Sequence, residues 1–377
     1  MTMAANTLKK IRVLIVDDSA FMRKVLETIL ITDENVQVVG HAKDGREAVR
    51  LSESLKPDVI TMDINMPVMD GLQATAEIMT TNPRPIVVVS SESRQGAAST
   101  LRALELGAIE FVAKPSSGID LDMHSVREDL LRKVRLASKV RVVRSASRIA
   151  SAITNGDGKA LSAPPAPASR PSAAATNDQR FPVVVLAAST GGPATVMRLA
   201  PGFTRDFPAA VILVQHMPAA FTTQYAAQLA EFTGARVKEA ENNETLTPGT
   251  FYICPGGQHL RVMNTGRIQL DGSSGRINGY LPSIDVAMES VAAFAGALSI
   301  GVILTGMGND GAAGASAIKS AGGMVLAQDE ATSVIFGMPS EAIKAGAVSQ
   351  VLGIDDIYAA IEKQVLAISR IATVGVR

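Results

Sequence analysis

The chain has 377 residues, 47% of them hydrophobic and 19% charged, enough for two or three folded domains and too apolar for a disordered chain. Lys+Arg and Asp+Glu both number 36, and this zero formal charge excludes a global pull toward nucleic acid or anionic membrane. A single cysteine, Cys254, excludes an intramolecular disulfide. With no signal-peptide pattern and no apolar stretch near about 20 residues, a cytoplasmic location is expected.

In chain order, short Val/Ile-rich runs come first: Ile11–Val16, Val36–Val39, Asp58–Met62, Ile86–Val89 and Ile109–Ala113. Such runs suit buried parallel strands. The segment after the first run spaces Met22, Val25, Leu26, Ile29 and Leu30 as one helix face. Another helix is predicted to start at Asp44, with Glu47 three residues on as a capping box. Strand and helix alternating five times predicts a doubly wound parallel sheet over residues 1–144.

Residues 145–180 include APPAPASRPSAAATND and carry no aromatic residue, which predicts a flexible linker. The cations just before it, Arg132, Lys133, Arg135, Lys139, Arg141 and Arg144, form either a nucleic-acid patch or a solvated helix face. Without interleaved aromatics the helix face is favoured. Residues 181–377 resume the pattern, with runs at Val183–Ala188, Ala210–Val214, Phe251–Cys254, Ile300–Leu304 and Met324–Ala327. They predict a second α/β domain.

Polar residues gather at the predicted strand ends. Asp17 and Asp18 follow the first strand and Asp63 the third. In a 2-1-3-4-5 strand order these open into one crevice. Carboxylates so close repel unless a hard cation neutralises them, and oxygen ligands suit Mg²⁺. Asp63 is then a nucleophile toward a phosphoryl donor. Ser90 ends the fourth strand and Lys114, before Pro115, ends the fifth; both are placed to meet phosphoryl oxygens. DDS at 17–19, DINMPVMDG at 63–71, Ser90 and KP at 114–115 resemble a response-regulator receiver domain, flavodoxin-like in fold. The resemblance implies phosphorylation of Asp63 by a histidine kinase. It also implies metal binding by Asp18, Asp63 and the main-chain oxygen of Asn65, with Asp17 close by. Ser90 rather than Ser91 is taken as the switch hydroxyl. The face built on the fourth and fifth strands is then expected to contact the second domain.

In the second half, Ser189, His216 and Asp310 each follow an apolar strand. Parallel strands bring such ends to one edge, as nucleophile, base and orienter. Gly191 and Gly192 permit a sharp turn, and a helix beginning near Pro193 offers free amides to an oxyanion. Two rivals share the region. Gly306-Met-Gly308-Asn-Asp-Gly311, with Asp329 downstream, matches a dinucleotide fingerprint, although Asp310 would repel a pyrophosphate there. Cys254 and His259 make a possible Cys–His pair. A second domain that only binds a partner is a further alternative.

ASTGGP at 188–193, QHMP at 215–218, PGGQH at 255–259, TGMGNDG at 305–311 and FGMP at 336–339 resemble the chemotaxis protein-glutamate methylesterase family. The resemblance implies a Rossmann-like esterase without a catalytic metal and places the catalytic roles on Ser189, His216 and Asp310. It also implies that Thr190, Gly191 and Met307 line the cleft or its oxyanion site. The implied substrates are γ-glutamyl methyl esters of chemoreceptors, with glutamine deamidation as a second activity. Tyr280-Leu281-Pro-Ser departs from the Arg-Pro-Ser of many members.

Overall fold

The computed structural model describes residues 9–91, 93–114, 120–140 and 181–374. The expected linker at 145–180, Pro115, Arg141 and Arg144 lie outside them. Strands β1 (Ile11–Val16), β2 (Val36–Ala42), β3 (Val59–Met62), β4 (Ile86–Ser90) and β5 (Glu110–Ala113) form a parallel sheet in the order β2-β1-β3-β4-β5. Side chains alternate along β1, and this divides the core. Val13 and Ile15 pack with Leu26 and Ile29 of α1 (Ala20–Leu30) and with Leu130 and Val134 of α5 (Asp120–Ala137). Leu14 and Val16 face the other way, into a cluster shared with α2 (Gly45–Leu55), α3 (Gly71–Thr81) and α4 (Arg94–Glu105). Strands buried on both faces have no polar alternation, hence the continuous Val/Ile runs.

The helix starts behave nearly as expected. Asp44 accepts the Glu47 N–H at 2.9 Å, but the Glu47 carboxylate takes the Lys43 N–H at 3.1 Å, so no closed box forms there. The reciprocal box occurs at α3 instead, between Asp70 and Gln73. Along α5, Asp129 pairs with Arg132 and Lys133, and Asp33 with Arg135. That pairing fits a solvated helix face.

The second sheet has seven parallel strands: β6 (Val183–Ala188), β7 (Ala210–Gln215), β8 (Arg236–Glu239), β9 (Thr250–Ile253), β12 (Ser299–Ile303), β13 (Met324–Gln328) and β14 (Gln350–Leu352). Their order is β14-β13-β12-β6-β7-β9-β8. The strands β10 (His259–Val262) and β11 (Ile268–Asp271) form a separate antiparallel pair. Apolar runs do not reveal β8 and β14. Both are edge strands, RVKE and QVL, with half-buried or exposed residues. The helices are α6 (Gly192–Leu199), α7 (Ala219–Phe232), α8 (Ile284–Ala295), α9 (Ala312–Ser320), α10 (Met338–Lys344) and α11 (Ile354–Val374). From β6 the chain winds first toward β7 and later returns to β12 on the other side of β6. The winding direction therefore reverses beside β6, the place where open α/β sheets present their crevice.

The two sheets meet through the face expected from the sequence. The ring of Phe111 on β5 lies 4.3 Å, centroid to centroid, from Phe221 on α7. The Gln228 side-chain amide on α7 donates to Glu105 on α4. Val334, in the loop between β13 and α10, packs against the cluster that holds Val13, Ile15 and Leu130.

Candidate active site

Ser189, His216 and Asp310 converge at the reversal point. Ser189 follows β6, His216 follows β7 and Asp310 lies in the loop between β12 and α9. His216 Nδ1 is 3.1 Å from Ser189 Oγ, and His216 Nε2 is 2.8 Å from Asp310 Oδ2. A carboxylate only accepts, so the matching tautomer carries its proton on Nε2 and leaves Nδ1 bare for the serine hydroxyl.

Asp310 is 2% exposed and fully engaged. Besides His216, its Oδ2 accepts the Ile284 N–H at 2.7 Å; its Oδ1 accepts the Asp285 N–H at 3.0 Å and the Ser283 hydroxyl at 3.1 Å. Burial by itself raises a carboxyl pKa, but the hydrogen bonds from His216, Asp285 and Ile284 outweigh it and hold Asp310 below its usual range. Asp285 returns the arrangement. Its Oδ1 accepts the N–H groups of Gly311 and Gly314, at 2.9 and 2.8 Å, at the start of α9. Burial, together with the charge of Asp310, pushes Asp285 above the usual range. Each carboxylate thus caps the other's helix and fixes the loop that carries Asp310.

The turn after Ser189 is held as firmly. Gly191 has φ 76°, a left-handed conformation that a side chain would strain, and a Cβ there would come 2.6 Å from Val334. The Gln215 amide donates to Ser189 O at 2.9 Å and to His216 O at 3.3 Å, so it ties the ends of β6 and β7. Thr305 Oγ1 donates to Thr190 O at 3.0 Å and accepts the Ile335 N–H at 2.9 Å. The Ser189 N–H is spent on Thr305 O at 3.1 Å, and Gly192 N–H on Ser189 O at 2.8 Å. Thr190 is buried beside Ser189, while Met307 is 38% exposed.

Both rival chemistries lose their footing here. The α9 amides that would hold a pyrophosphate are occupied by Asp285, and Asp310 is committed to His216 and the start of α8. Cys254 is buried, its thiol lies against Gln258 O at 3.5 Å, and burial raises its pKa. His259 instead accepts the Ser283 N–H at 3.0 Å and lies 2.8 Å from Gly275 O. It supports the turn before α8.

In the other unit, carboxylate oxygens of Asp17, Asp18 and Asp63 lie within 4.8 Å of one another. Lys114 Nζ pairs with Asp17 Oδ2 at 2.9 Å and Asp63 Oδ2 at 2.8 Å. Burial raises the Asp63 pKa against the pull of Lys114. The Lys114 pKa is also raised, because its bonds to Asp63 and Asp17 outweigh burial. An all-oxygen donor set suits a hard divalent cation. Asn65 is exposed on the loop after β3. Ser90 is buried and its Oγ donates to Gly96 O on α4 at 3.3 Å, while Ser91 is exposed and pairs with Ser93.

Gln215, Tyr280, Ser283, Asp285 and Thr305 also build the candidate site and were not singled out as site residues by motif spacing. Tyr280 stacks on the His216 ring, with centroids 4.6 Å apart and planes 16° apart.

Known proteins match both units. A family model described as CheB methylesterase matches residues 184–361, and one described as response regulator receiver domain matches residues 13–124. A protein-glutamate methylesterase/protein-glutamine glutaminase 1 of Oleidesulfovibrio alaskensis is 43% identical over 93% of this chain and 98% of its own length. A protein-glutamate methylesterase/protein-glutamine glutaminase of Methanococcus maripaludis is 39% identical over 93% of this chain and 96% of its own. The crystal structure of the Thermotoga maritima CheB methylesterase catalytic domain is 39% identical, covers 48% of this chain and 98% of its own, and has a TM-score of 0.47. The chain belongs to the protein-glutamate methylesterase/protein-glutamine glutaminase family, with a response-regulator receiver ahead of a CheB methylesterase region.

Proposed function

We propose that this chain hydrolyses γ-glutamyl methyl esters of chemoreceptors at Ser189, under control of phosphorylation at Asp63. The hydrogen-bonded row Ser189–His216–Asp310 carries the proposal. His216 Nδ1 takes the hydroxyl proton as Ser189 Oγ attacks the ester carbonyl carbon. Because the Ser189 amide is already spent, the amides of Thr190 and Met307 are assigned to the oxyanion. The C–O bond to methoxide breaks, and the Nδ1 proton leaves with it as methanol. Water then gives a proton to His216 as its oxygen attacks the acyl carbon; the acyl–Ser189 bond breaks, the proton passes from His216 to Ser189 Oγ, and a receptor glutamate is left. Asp310 stabilises the imidazolium at both stages. A receptor glutamine follows the same course, with ammonia in place of methanol.

In the receiver, Asp17, Asp18 and Asp63, with the Asn65 main-chain oxygen, are the residues that would hold Mg²⁺. The ion supplies charge neutralisation when bound. A carboxylate oxygen of Asp63 attacks the phosphorus of a kinase phosphohistidine; the P–N bond breaks and an acyl phosphate forms. Lys114 is placed to pair with the new charge. Ser90 now holds Gly96 O on α4; turning toward the phosphoryl group would release that bond on the helix whose Glu105 meets Gln228. Loosening of α4 and Phe111 then opens the esterase face.

The test is methanol release from a methylated receptor and ammonia release from its glutamine form, both rising when a small phosphodonor is added. Asp63→Asn should keep the basal rate and lose the rise. A donor-dependent rise that survives Asp63→Asn would place the switch elsewhere.

A further inference from the structure

We propose that Tyr280 is a positioning residue for the base, an inference that rests on the Ser189–His216–Asp310 reading. The hydrogen bonds of His216 engage its ring only at the edge, at Nδ1 and Nε2. The ring hangs on the soft Cβ–Cγ torsion. A turn about that bond would carry the bare Nδ1 lone pair away from the serine hydroxyl. A flat group against the imidazole face removes that freedom, and Tyr280 lies there, 4.6 Å away and 16° from parallel.

The tyrosine is itself held at both ends. Ile277 and Tyr280 exchange backbone hydrogen bonds at 2.9 Å each way. Asn278 and Gly279 between them have φ of 52° and 88°. Asn-Gly with both central residues left-handed is the tight two-residue hairpin turn, so Tyr280 leaves a rigid support. At its other end, the hydroxyl reaches the loop that carries Asp310. A Cβ on Gly308, where φ is 95°, would come 2.1 Å from the oxygen. One side chain therefore touches the base with its face and the orienter's loop with its hydroxyl. The ring face also favours the positive charge that His216 carries in the transition state.

The experiment uses the full chain with phosphodonor and measures kcat and KM for methanol release, with Ser189→Ala as the blank. Tyr280→Leu should lower kcat about three- to tenfold with little change in KM. Tyr280→Phe, which keeps the ring, should stay within about twofold of wild type. Thermal melting checks folding at the assay temperature, and Tyr280→Met replaces the leucine variant if that one is unfolded. An unchanged kcat without the ring overturns the proposal. So does a loss confined to KM, which would make the ring a substrate contact, or a phenylalanine variant as slow as the leucine one. Failure of the triad itself shows separately, as turnover that persists in Ser189→Ala.

Discussion

Ser189→Ala is expected to lower kcat for methanol release by about 10⁶-fold, to the residual level that oxyanion binding and substrate positioning give without a nucleophile. The chemistry has no obvious substitute at hand. Thr190 is buried with its carbonyl already accepting from Thr305, and the buried Cys254 thiol is held against backbone carbonyls. Among the described residues the hydroxyl bonds only to His216, so its loss leaves no buried donor stranded and the fold should survive. Receptor binding and phosphorylation of Asp63 should be unaffected. The check is steady-state methanol release beside a thermal melt. Melting near the wild-type temperature together with a rate within tenfold of wild type would remove Ser189 from the mechanism.

Asp310→Asn should be nearly as damaging, by about 10³- to 10⁴-fold in kcat, and unlike the serine change it should also cost stability. All four groups that meet the carboxylate are donors in the resting arrangement. An amide NH₂ in place of Oδ2 faces the Ile284 N–H and His216 Nε2. It drives the histidine proton to Nδ1, where the base is needed bare. In place of Oδ1 it can donate a hydrogen bond to the Ser283 hydroxyl oxygen, but it still opposes the Asp285 N–H. Either way a buried donor loses its acceptor, a cost of about 1–3 kcal/mol. Because hydrogen bonds hold Asp310 below its usual carboxylate range, the wild type keeps this anion as pH falls through the working range of a histidine. The measurements are kcat for methanol release and the melting temperature. A variant with wild-type rate would mean that Asp310 is only a helix cap.

The triad was legible because each member follows a long apolar run, and parallel strands must bring such ends to one edge. The acidic pocket was legible for the same reason. What lay beyond reach depends on tertiary approach. Asp285 sits 25 positions before Asp310, and nothing in their spacing says that two helix starts face each other and exchange caps. Tyr280 has a local signal in the Asn-Gly that precedes it, enough to predict a hairpin turn but not the ring it would meet. The edge strands β8 and β14 escaped because, with one flank unpaired, half-exposed residues suffice to hold them, and no apolar run is needed. The capping box predicted at Asp44 has the right residues, yet Glu47 takes the preceding amide, one position away from the pattern.

The central claim is that the state of Asp63 sets the rate of acyl transfer at Ser189. Its most direct test is methanol release from one methylated receptor preparation by the full chain, before and after a small phosphodonor is added, with Ser189→Ala run alongside. A low basal rate, a clear rise on adding the donor, and no release from Ser189→Ala under either condition are expected. Release that is indifferent to the donor, or that continues without the serine hydroxyl, would contradict the claim.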